Sequence, residues 1–156
     1  MARIFLAARV SSYRRLAREL VGPRDIVIEL GAGEGRCTRI LARRAGHVIA
    51  VEKTRACCTR TARAVARYQN VAVLCQDAFE LKPILGLVRR ADAVFVDIGG
   101  AAPLWQTIRL AGNYLSMFRP RTLVIRNTRL ASFVSSLEWT EPDVAGRYWA
   151  VAQEEE

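Results

Sequence analysis

Short apolar segments alternate with longer amphipathic ones along almost the whole chain. The apolar runs at residues 26–30, 47–51, 71–75, 93–96 and 122–125 are typical of strands that are covered on both faces. Between them, apolar residues recur three or four positions apart, as on one face of a helix. This spacing predicts helices at residues 2–20, 36–44, 54–67, 79–90, 104–118 and 130–137.

The alternation predicts one α/β domain over residues 1–156, built on a doubly wound, mostly parallel sheet. A helix within residues 1–22 is expected to pack on its core, and Gly22-Pro23 ends that helix. A last short strand is predicted at residues 148–152.

A glycine-rich turn follows the first apolar run directly. The segment reads Glu-Leu-Gly-Ala-Gly-Glu-Gly over residues 29–35, and a predicted helix begins at Arg36. Glycine lacks a Cβ and tolerates positive φ, so backbone can approach a ligand closely here. The following helix points unpaired N–H groups at the same place. A nucleotide-like cofactor is the first hypothesis.

The spacing of the glycines selects the cofactor. The dinucleotide fingerprint needs a third glycine at position 36, where this chain has Arg36, so a nicotinamide-dependent oxidoreductase is disfavoured. The pattern Glu-x-Gly-x-Gly-x-Gly, which starts at Glu29, resembles motif I of the class I S-adenosylmethionine-dependent methyltransferases.

Four carboxylates fall at the ends of predicted strands. They are Glu29, Glu52, Asp77 and Asp97. Ligands of open α/β sheets bind outside these carboxyl ends. Glu52 also lies 21 residues after Gly31, a separation at which an acid can accept both hydroxyls of a ribose. The methyltransferase resemblance therefore extends over residues 26–127.

The resemblance implies roles on the cofactor side. The turn would line the methionine part of the cofactor, through Gly31, Ala32, Gly33 and Gly35. Glu29 would help to hold its amino group, and Glu52 would bind the ribose, with Lys53 beside it. Asp77 would accept from the adenine amine, and Ala78 would give a backbone contact.

On the acceptor side, the resemblance places Asp97 near the transferred methyl group, as the candidate base. Tyr13 would close over the cofactor. Ile98, Gly99 and Gly100 follow Asp97, and the Gly-Gly pair is expected to leave room for a substrate. Asn127 is a further candidate for the substrate side. Only 29 residues follow it, so we expect the family's C-terminal antiparallel edge to be trimmed.

Known acceptor motifs are missing. No Asn-Pro-Pro-Tyr or Asp-Pro-Pro-Tyr follows residue 96, so methylation of an exocyclic adenine amine lacks its motif. The only lysines are Lys53 and Lys82, which excludes the 2′-O mechanism that needs lysines flanking the cleft. All cysteines precede residue 76, which disfavours attack on a pyrimidine by a downstream thiolate.

The net charge of +9 comes almost wholly from arginine and favours a polyanionic partner, RNA or a ribonucleoprotein. Arginine-rich composition from a GC-rich genome is the alternative explanation. Cys37, Cys57, Cys58 and Cys75 show no metal-ligand spacing and are expected to be free thiols in a reducing compartment. No metal is expected.

No apolar run is long enough to span a membrane, so we expect no membrane partner. The predicted location is the cytoplasm. The arginine-rich residues 1–18, which lack acids, leave an organellar transit peptide as the alternative. An oligomer is possible, and the sequence does not determine the oligomeric state.

Three functions remain. The first is an S-adenosylmethionine-dependent methyltransferase, with RNA or a ribonucleoprotein as the favoured substrate. The second is a non-catalytic methyltransferase-like subunit that binds RNA. The third is a small-molecule methyltransferase, because the loop at residues 97–100 resembles that of the precorrin methyltransferases.

Overall fold

The computed structural model describes residues 2–138 and 150–151, which build a seven-stranded sheet with helices on both faces. The strands run in the order β4-β3-β2-β5-β6-β1-β7, and every pairing is parallel. They are β1 (Arg3–Ala7), β2 (Ile26–Leu30), β3 (His47–Glu52), β4 (Val71–Cys75), β5 (Ala93–Val96), β6 (Thr122–Arg126) and β7 (Ala150–Val151). The predicted doubly wound, mostly parallel sheet is confirmed, and none of the described pairings is antiparallel.

The helices connect these strands. They are α1 (Val10–Leu20), α2 (Arg36–Ala42), α3 (Arg55–Val65), α4 (Leu81–Leu87), α5 (Leu104–Phe118) and α6 (Thr128–Ser135). Pro83 lies in the first turn of α4, where a missing backbone N–H breaks no helical hydrogen bond. The predicted helices at 36–44, 54–67, 79–90, 104–118 and 130–137 therefore exist, most of them with shifted ends.

The central strand β5 shows why these segments are apolar throughout. Its four residues are fully buried, because alternate side chains point into two separate cores. Val94 and Val96 pack with α4, α5 and α6, whereas Ala93 and Phe95 pack with α1 and α2. A strand covered on both faces has no solvent side that would favour polar residues.

The prediction for residues 2–20 is half wrong. The helix exists only from Val10 onward, and residues 3–7 form β1, which pairs with β6 along its whole length. Ile4, Phe5 and Leu6 suit either structure by pattern. The strand forms because β6 would otherwise expose an unpaired edge, a tertiary effect that local periodicity does not record.

The strand predicted at residues 148–152 lies only partly within the described residues. Ala150 and Val151 form β7 and pair with β1. Residues 148, 149 and 152 of the predicted strand lie outside the described residues. No helix in the described part of the chain is long and apolar enough to cross a membrane.

The expectation of four free thiols is also wrong. Cys58 on α3 and Cys75 at the end of β4 form a disulfide, with their Cα atoms 5.7 Å apart. Cys37 and Cys57 are free. The two bridged residues are 17 positions apart in sequence and meet only because α3 packs against β4. Their spacing alone could not reveal this pairing.

The strand order reverses between β2 and β5, which are neighbours although β3 and β4 separate them in sequence. A crevice forms outside the carboxyl ends of strands at such a switch point. The glycine turn after β2 and the loop after β5 lie on its two sides.

Candidate functional site

The glycine turn is packed against the end of β5. Gly31 has a φ of +84°, and a Cβ added there would lie 2.0 Å from the carbonyl oxygen of Asp97. The backbone N–H groups of Gly31 and Ala32 both donate to the carbonyl of Val51, at 2.8 and 3.2 Å. Only glycine fits at position 31, for both its conformation and its space.

The next two glycines have different roles. Gly33 has a φ of +59°, and a Cβ there would meet nothing within 4 Å, so this stretch of backbone faces open space. Gly35 has a φ of +73° and precedes α2, and its Cβ would lie 3.1 Å from the Cβ of Ala64 on α3. Gly35 therefore allows helix packing and lines neither cavity described below.

Glu52 at the end of β3 is tied to the glycine turn. It is 9% exposed. One carboxylate oxygen accepts from the N–H of Gly33 and the other from the N–H of Thr54, both at 2.9 Å. A carboxylate has about four acceptor positions, so each oxygen keeps capacity for a further donor. The side chain is thus fixed in place and can still accept hydrogen bonds from a ligand.

A cavity of about 390 Å³ lies at the switch point. It brings together most of the predicted site residues, namely Gly31, Gly33, Glu52, Lys53, Asp77, Ala78, Asp97, Ile98 and Gly99. Its size lies in the range typical of small-ligand pockets. In the described ranges, no group of three or more His, Cys, Asp or Glu could hold a metal ion.

The turn after β4 forms one wall of this cavity. Asp77 accepts from the N–H of Phe79 at 2.9 Å, and the carbonyl of Ala78 accepts from the hydroxyl of Tyr114 at 2.7 Å. These bonds fix the turn from both sides. Phe79 also lines the cavity, as do Thr54, Gln76 and Gln106. Sequence reasoning missed these four, although Phe79 follows directly after two predicted residues.

The loop after β5 is built around an arginine. Arg126 at the end of β6 donates to Asp97 at 2.7 Å. Gly99 has a φ of +109°, and a Cβ on Gly100 would lie 2.7 Å from the guanidinium of Arg126. The expectation that Gly100 leaves room for a substrate is therefore wrong, because Arg126 fills that room. A basic residue directly after a predicted strand, where four other strand ends carry carboxylates, was the sequence signal that could have identified Arg126.

Asn127 is not brought to the site. It is fully buried and lines neither cavity. Its side-chain oxygen accepts from the N–H of Leu130 and caps α6, while its amide donates to Ala102 and Thr107. These bonds give the residue a structural role.

A second cavity, of about 290 Å³, lies between α1 and the glycine turn. Three other predicted residues line it: Tyr13, Glu29 and Ala32. Gly31, Gly33 and Asp97 line both cavities, so the two meet at the glycine turn. Arg14, which sequence reasoning did not single out among the arginines of this helix, lies in the wall of the second cavity.

Glu29 is almost fully buried, at 1% exposed. It accepts a hydrogen bond from Thr38 at 2.5 Å. Burial raises its pKa to about 7, against the opposing effect of hydrogen bonds from Thr38 and Cys37. Tyr13 packs edge-on against Phe95, and burial raises the pKa of its hydroxyl well above the usual value.

The sheet order, the glycine turn and the strand-end acid Glu52 define the fold of the class I S-adenosylmethionine-dependent methyltransferases. The sequence profile of the family described as "Ribosomal RNA adenine dimethylase" matches residues 1–95, and the chain belongs to this family. The sequence resemblance to class I methyltransferases is thereby confirmed.

Individual proteins of known sequence or structure are similar to this chain as well. The chain is 41% identical over 69 residues to ribosomal RNA small subunit methyltransferase A of Moorella thermoacetica, which covers 44% of the chain and 24% of that relative. The chain thus spans about a quarter of the curated relative's length. A dimethyladenosine transferase from Plasmodium falciparum matches in structure, with a TM-score of 0.62 and 18% identity over 85% of this chain and 46% of that one.

An rRNA methylase from Streptococcus thermophilus has a TM-score of 0.59 and 16% identity, covering 81% of this chain and 78% of that one. At these identities, the two structural matches establish the fold alone.

Alanine substitutions in the glycine turn should separate strain from steric overlap. Gly33→Ala adds a Cβ into open space at positive φ and should destabilise the protein by about 1–2 kcal/mol. Gly31→Ala adds the same strain and a contact with backbone, so its loss should be larger by at least about 2 kcal/mol. Urea unfolding measures both, and equal losses would contradict the close approach to Asp97.

Glu29 should make stability depend on pH. Its pKa is about 7 in the folded protein and 4.5 in the unfolded chain, so the folded state holds the extra proton between these values. Wild-type stability relative to Glu29→Gln should therefore fall as pH rises from 4.5 to 7, by up to about 3 kcal/mol. Unfolding at several pH values tests this. Glu34→Gln, an exposed control in the same turn, should show no such trend.

Proposed function

We propose that the chain binds S-adenosylmethionine in the larger cavity and is the cofactor-binding domain of an RNA methyltransferase. Glu52 carries the proposal, because its carboxylate is held at the end of β3 by two backbone N–H groups and faces that cavity. Membership of the rRNA adenine dimethylase family supports it independently.

The residues fit the parts of this cofactor. Glu52 binds the ribose hydroxyls, with Lys53 at the rim, and Asp77 and the backbone of Ala78 receive the adenine. Phe79 offers an aromatic surface to the same base. The open backbone at Gly33 and the turn from Gly31 lie against the methionine part. Glu29 accepts a hydrogen bond from Thr38 on α2 and helps to hold the amino group of the cofactor indirectly, through the glycine turn.

S-adenosylmethionine would supply a methyl group on a sulfonium: an in-line nucleophile would form a bond to the methyl carbon while the carbon–sulfur bond breaks and S-adenosylhomocysteine leaves. The protein's part is to position the two reactants. Asp97 is held by Arg126 and by the N–H of Gly99, so it is fixed in place and acts as an orienting group. Ile98 and Gly99 form the wall from which an acceptor approaches.

An RNA partner is supported by charge. The helices α1, α2 and α3 pack side by side and expose arginines along their outer surface. These include Arg15, Arg18, Arg36, Arg39, Arg55, Arg60 and Arg63. Guanidinium groups bind phosphate in bidentate geometry. A ribosomal substrate would place the protein in the cytoplasm or in an organellar matrix.

The acceptor atom is proposed from the family name to be an adenine amine. The family match ends at residue 95, two residues before the loop that lacks the Pro-Pro-Tyr motif. The match therefore covers the cofactor half and leaves out the acceptor loop. Both observations are compatible with an adenine acceptor that this loop orients differently.

One observation favours a non-catalytic RNA-binding subunit as the second candidate. The ion pair between Asp97 and Arg126 fills part of the acceptor side, and no acceptor motif accompanies it. A small-molecule acceptor has only the loop resemblance in its favour.

Calorimetric titration tests the cofactor. S-adenosylmethionine and S-adenosylhomocysteine should bind with micromolar affinity and NAD should not. Glu52→Gln should weaken both by at least tenfold, because charge-assisted bonds to the ribose are lost. Glu19→Gln, an exposed carboxylate on α1 that lines neither cavity, is the matched control and should bind normally. Tight binding of NAD alone would refute the proposal.

Transfer of a tritiated methyl group to small-subunit rRNA separates the two candidates. An enzyme should label adenine in RNA that lacks this modification. A protein that binds both cofactor and RNA but transfers nothing would instead be the non-catalytic subunit.

A further inference from the structure

Two arginines converge on one tyrosine at the edge of the sheet opposite the two cavities. The Nε of Arg43 and a terminal nitrogen of Arg67 both donate to the hydroxyl oxygen of Tyr68, each at 2.9 Å. The guanidinium of Arg67 also lies 5.0 Å from the centre of the tyrosine ring. Within the described ranges, neither arginine forms an ion pair with a carboxylate. Two positive charges are therefore held close together without a negative one, although like charges repel.

The backbone around this cluster is fixed. The side-chain amide of Asn70 donates to the carbonyls of Ala42 and Ala45, both at 2.9 Å, and so ties the segment before β4 to the end of α2. The N–H of Tyr68 donates to the carbonyl of Val65, the last residue of α3, at 2.8 Å. The cluster is thus oriented before any ligand arrives, which lowers the entropy cost of binding.

The cluster offers only hydrogen-bond donors to a ligand. A guanidinium cannot accept, and the hydroxyl of Tyr68 already accepts from both arginines, so its own proton is left to donate outward. The hydrogen bonds from Arg43 and Arg67 also lower the pKa of Tyr68, as expected where positive charge is concentrated. The complementary group is an anion with several acceptor oxygens. A phosphate has them, and it matches guanidinium groups in bidentate geometry.

The cluster contains the last of three matched pairs of arginines. The helices α2 and α3 pack side by side and run in the same direction, because each connects neighbouring strands of a parallel sheet. Exposed arginines therefore recur on the two helices at a constant separation in sequence: Arg36 with Arg60, Arg39 with Arg63, and Arg43 with Arg67.

The three pairs differ in what neutralises them. Arg36 and Arg60 share the carboxylate of Glu34 in the glycine turn, at 3.3 and 3.8 Å. No carboxylate of the described residues forms an ion pair with the other two pairs. Unneutralised charge thus extends from the glycine turn to the amino ends of the strands. A small ligand contacts one pair at a time, whereas an extended polyanion contacts all three.

We propose that α2 and α3 form a track for the backbone of RNA, and that Arg43, Arg67 and Tyr68 bind one of its phosphates. This deepens the proposed function and rests on the RNA partner named there. The phosphate site lies at the opposite ends of the strands from the cofactor cavity, so it contacts RNA outside the segment that carries the acceptor. A contact to phosphate reads no bases and positions the RNA on the protein.

Fluorescence anisotropy with labelled oligouridylate, at several potassium chloride concentrations, tests the site. The double variant Arg43→Gln, Arg67→Gln should bind about tenfold more weakly. Its slope of log affinity against log salt should be shallower by about 0.7, because one phosphate contact to a single strand is lost. Tyr68→Phe keeps both charges and loses one donor, so it should weaken binding by less and leave the slope unchanged.

A second double variant is the matched control. Arg89→Gln, Arg90→Gln removes the same charge from exposed positions after α4, which packs on the other face of the sheet. This variant should bind RNA as the wild type does. Every variant should bind S-adenosylhomocysteine normally, since none of the substituted residues lines either cavity described above.

The outcomes separate the two proposals. Equal losses of RNA affinity in the two double variants would mean that only net charge matters, and would overturn the inference. An unchanged salt slope in the Arg43→Gln, Arg67→Gln variant would overturn it as well. If the wild-type protein binds S-adenosylhomocysteine but not RNA, the RNA partner and this inference fail together while cofactor binding stands.

Discussion

The close approach of Gly31 to the carbonyl of Asp97 is the constraint on which the site depends. β2 and β5 are neighbours where the strand order reverses, and a single Cβ between their ends would overlap the backbone. Because of this contact, the glycine turn and the loop after β5, which we propose to face the cofactor and the acceptor, share one boundary. Gly31, Gly33 and Asp97 consequently line both cavities. Under the proposed function, methyl donor and acceptor would meet where the ends of these two strands pack together.

The two sides of that boundary are built differently. On the side proposed for the cofactor, backbone N–H groups orient Glu52, and Gly33 leaves its backbone accessible. On the side proposed for the acceptor, Arg126 forms an ion pair with Asp97 and occupies the space that a Cβ on Gly100 would need. The family match covers the first side and ends before the second.

Prediction from sequence succeeded where a local pattern of residues determines the structure. Strands that are buried on both faces have no polar side, so the apolar runs at 26–30, 71–75 and 93–96 correctly predict strands. The position of Glu52, Asp77 and Asp97 at strand ends correctly predicts that they lie together at one cavity. Prediction from sequence failed where contacts between residues far apart in the chain determine the structure. β1 forms because β6 needs a neighbour, and Cys58 reaches Cys75 only in the fold. Arg14 and Arg126 resemble the other arginines in sequence; only the fold gives Arg14 a buried Nε and brings Arg126 to Asp97.

The most direct test of the account is a crystal structure of the protein with S-adenosylhomocysteine. It should show the ribose hydroxyls on the carboxylate of Glu52, the adenine beside Asp77 and Phe79, and the sulfur next to Asp97 at the meeting point of the two cavities. A ligand bound elsewhere, or one whose ribose does not contact Glu52, would contradict the account.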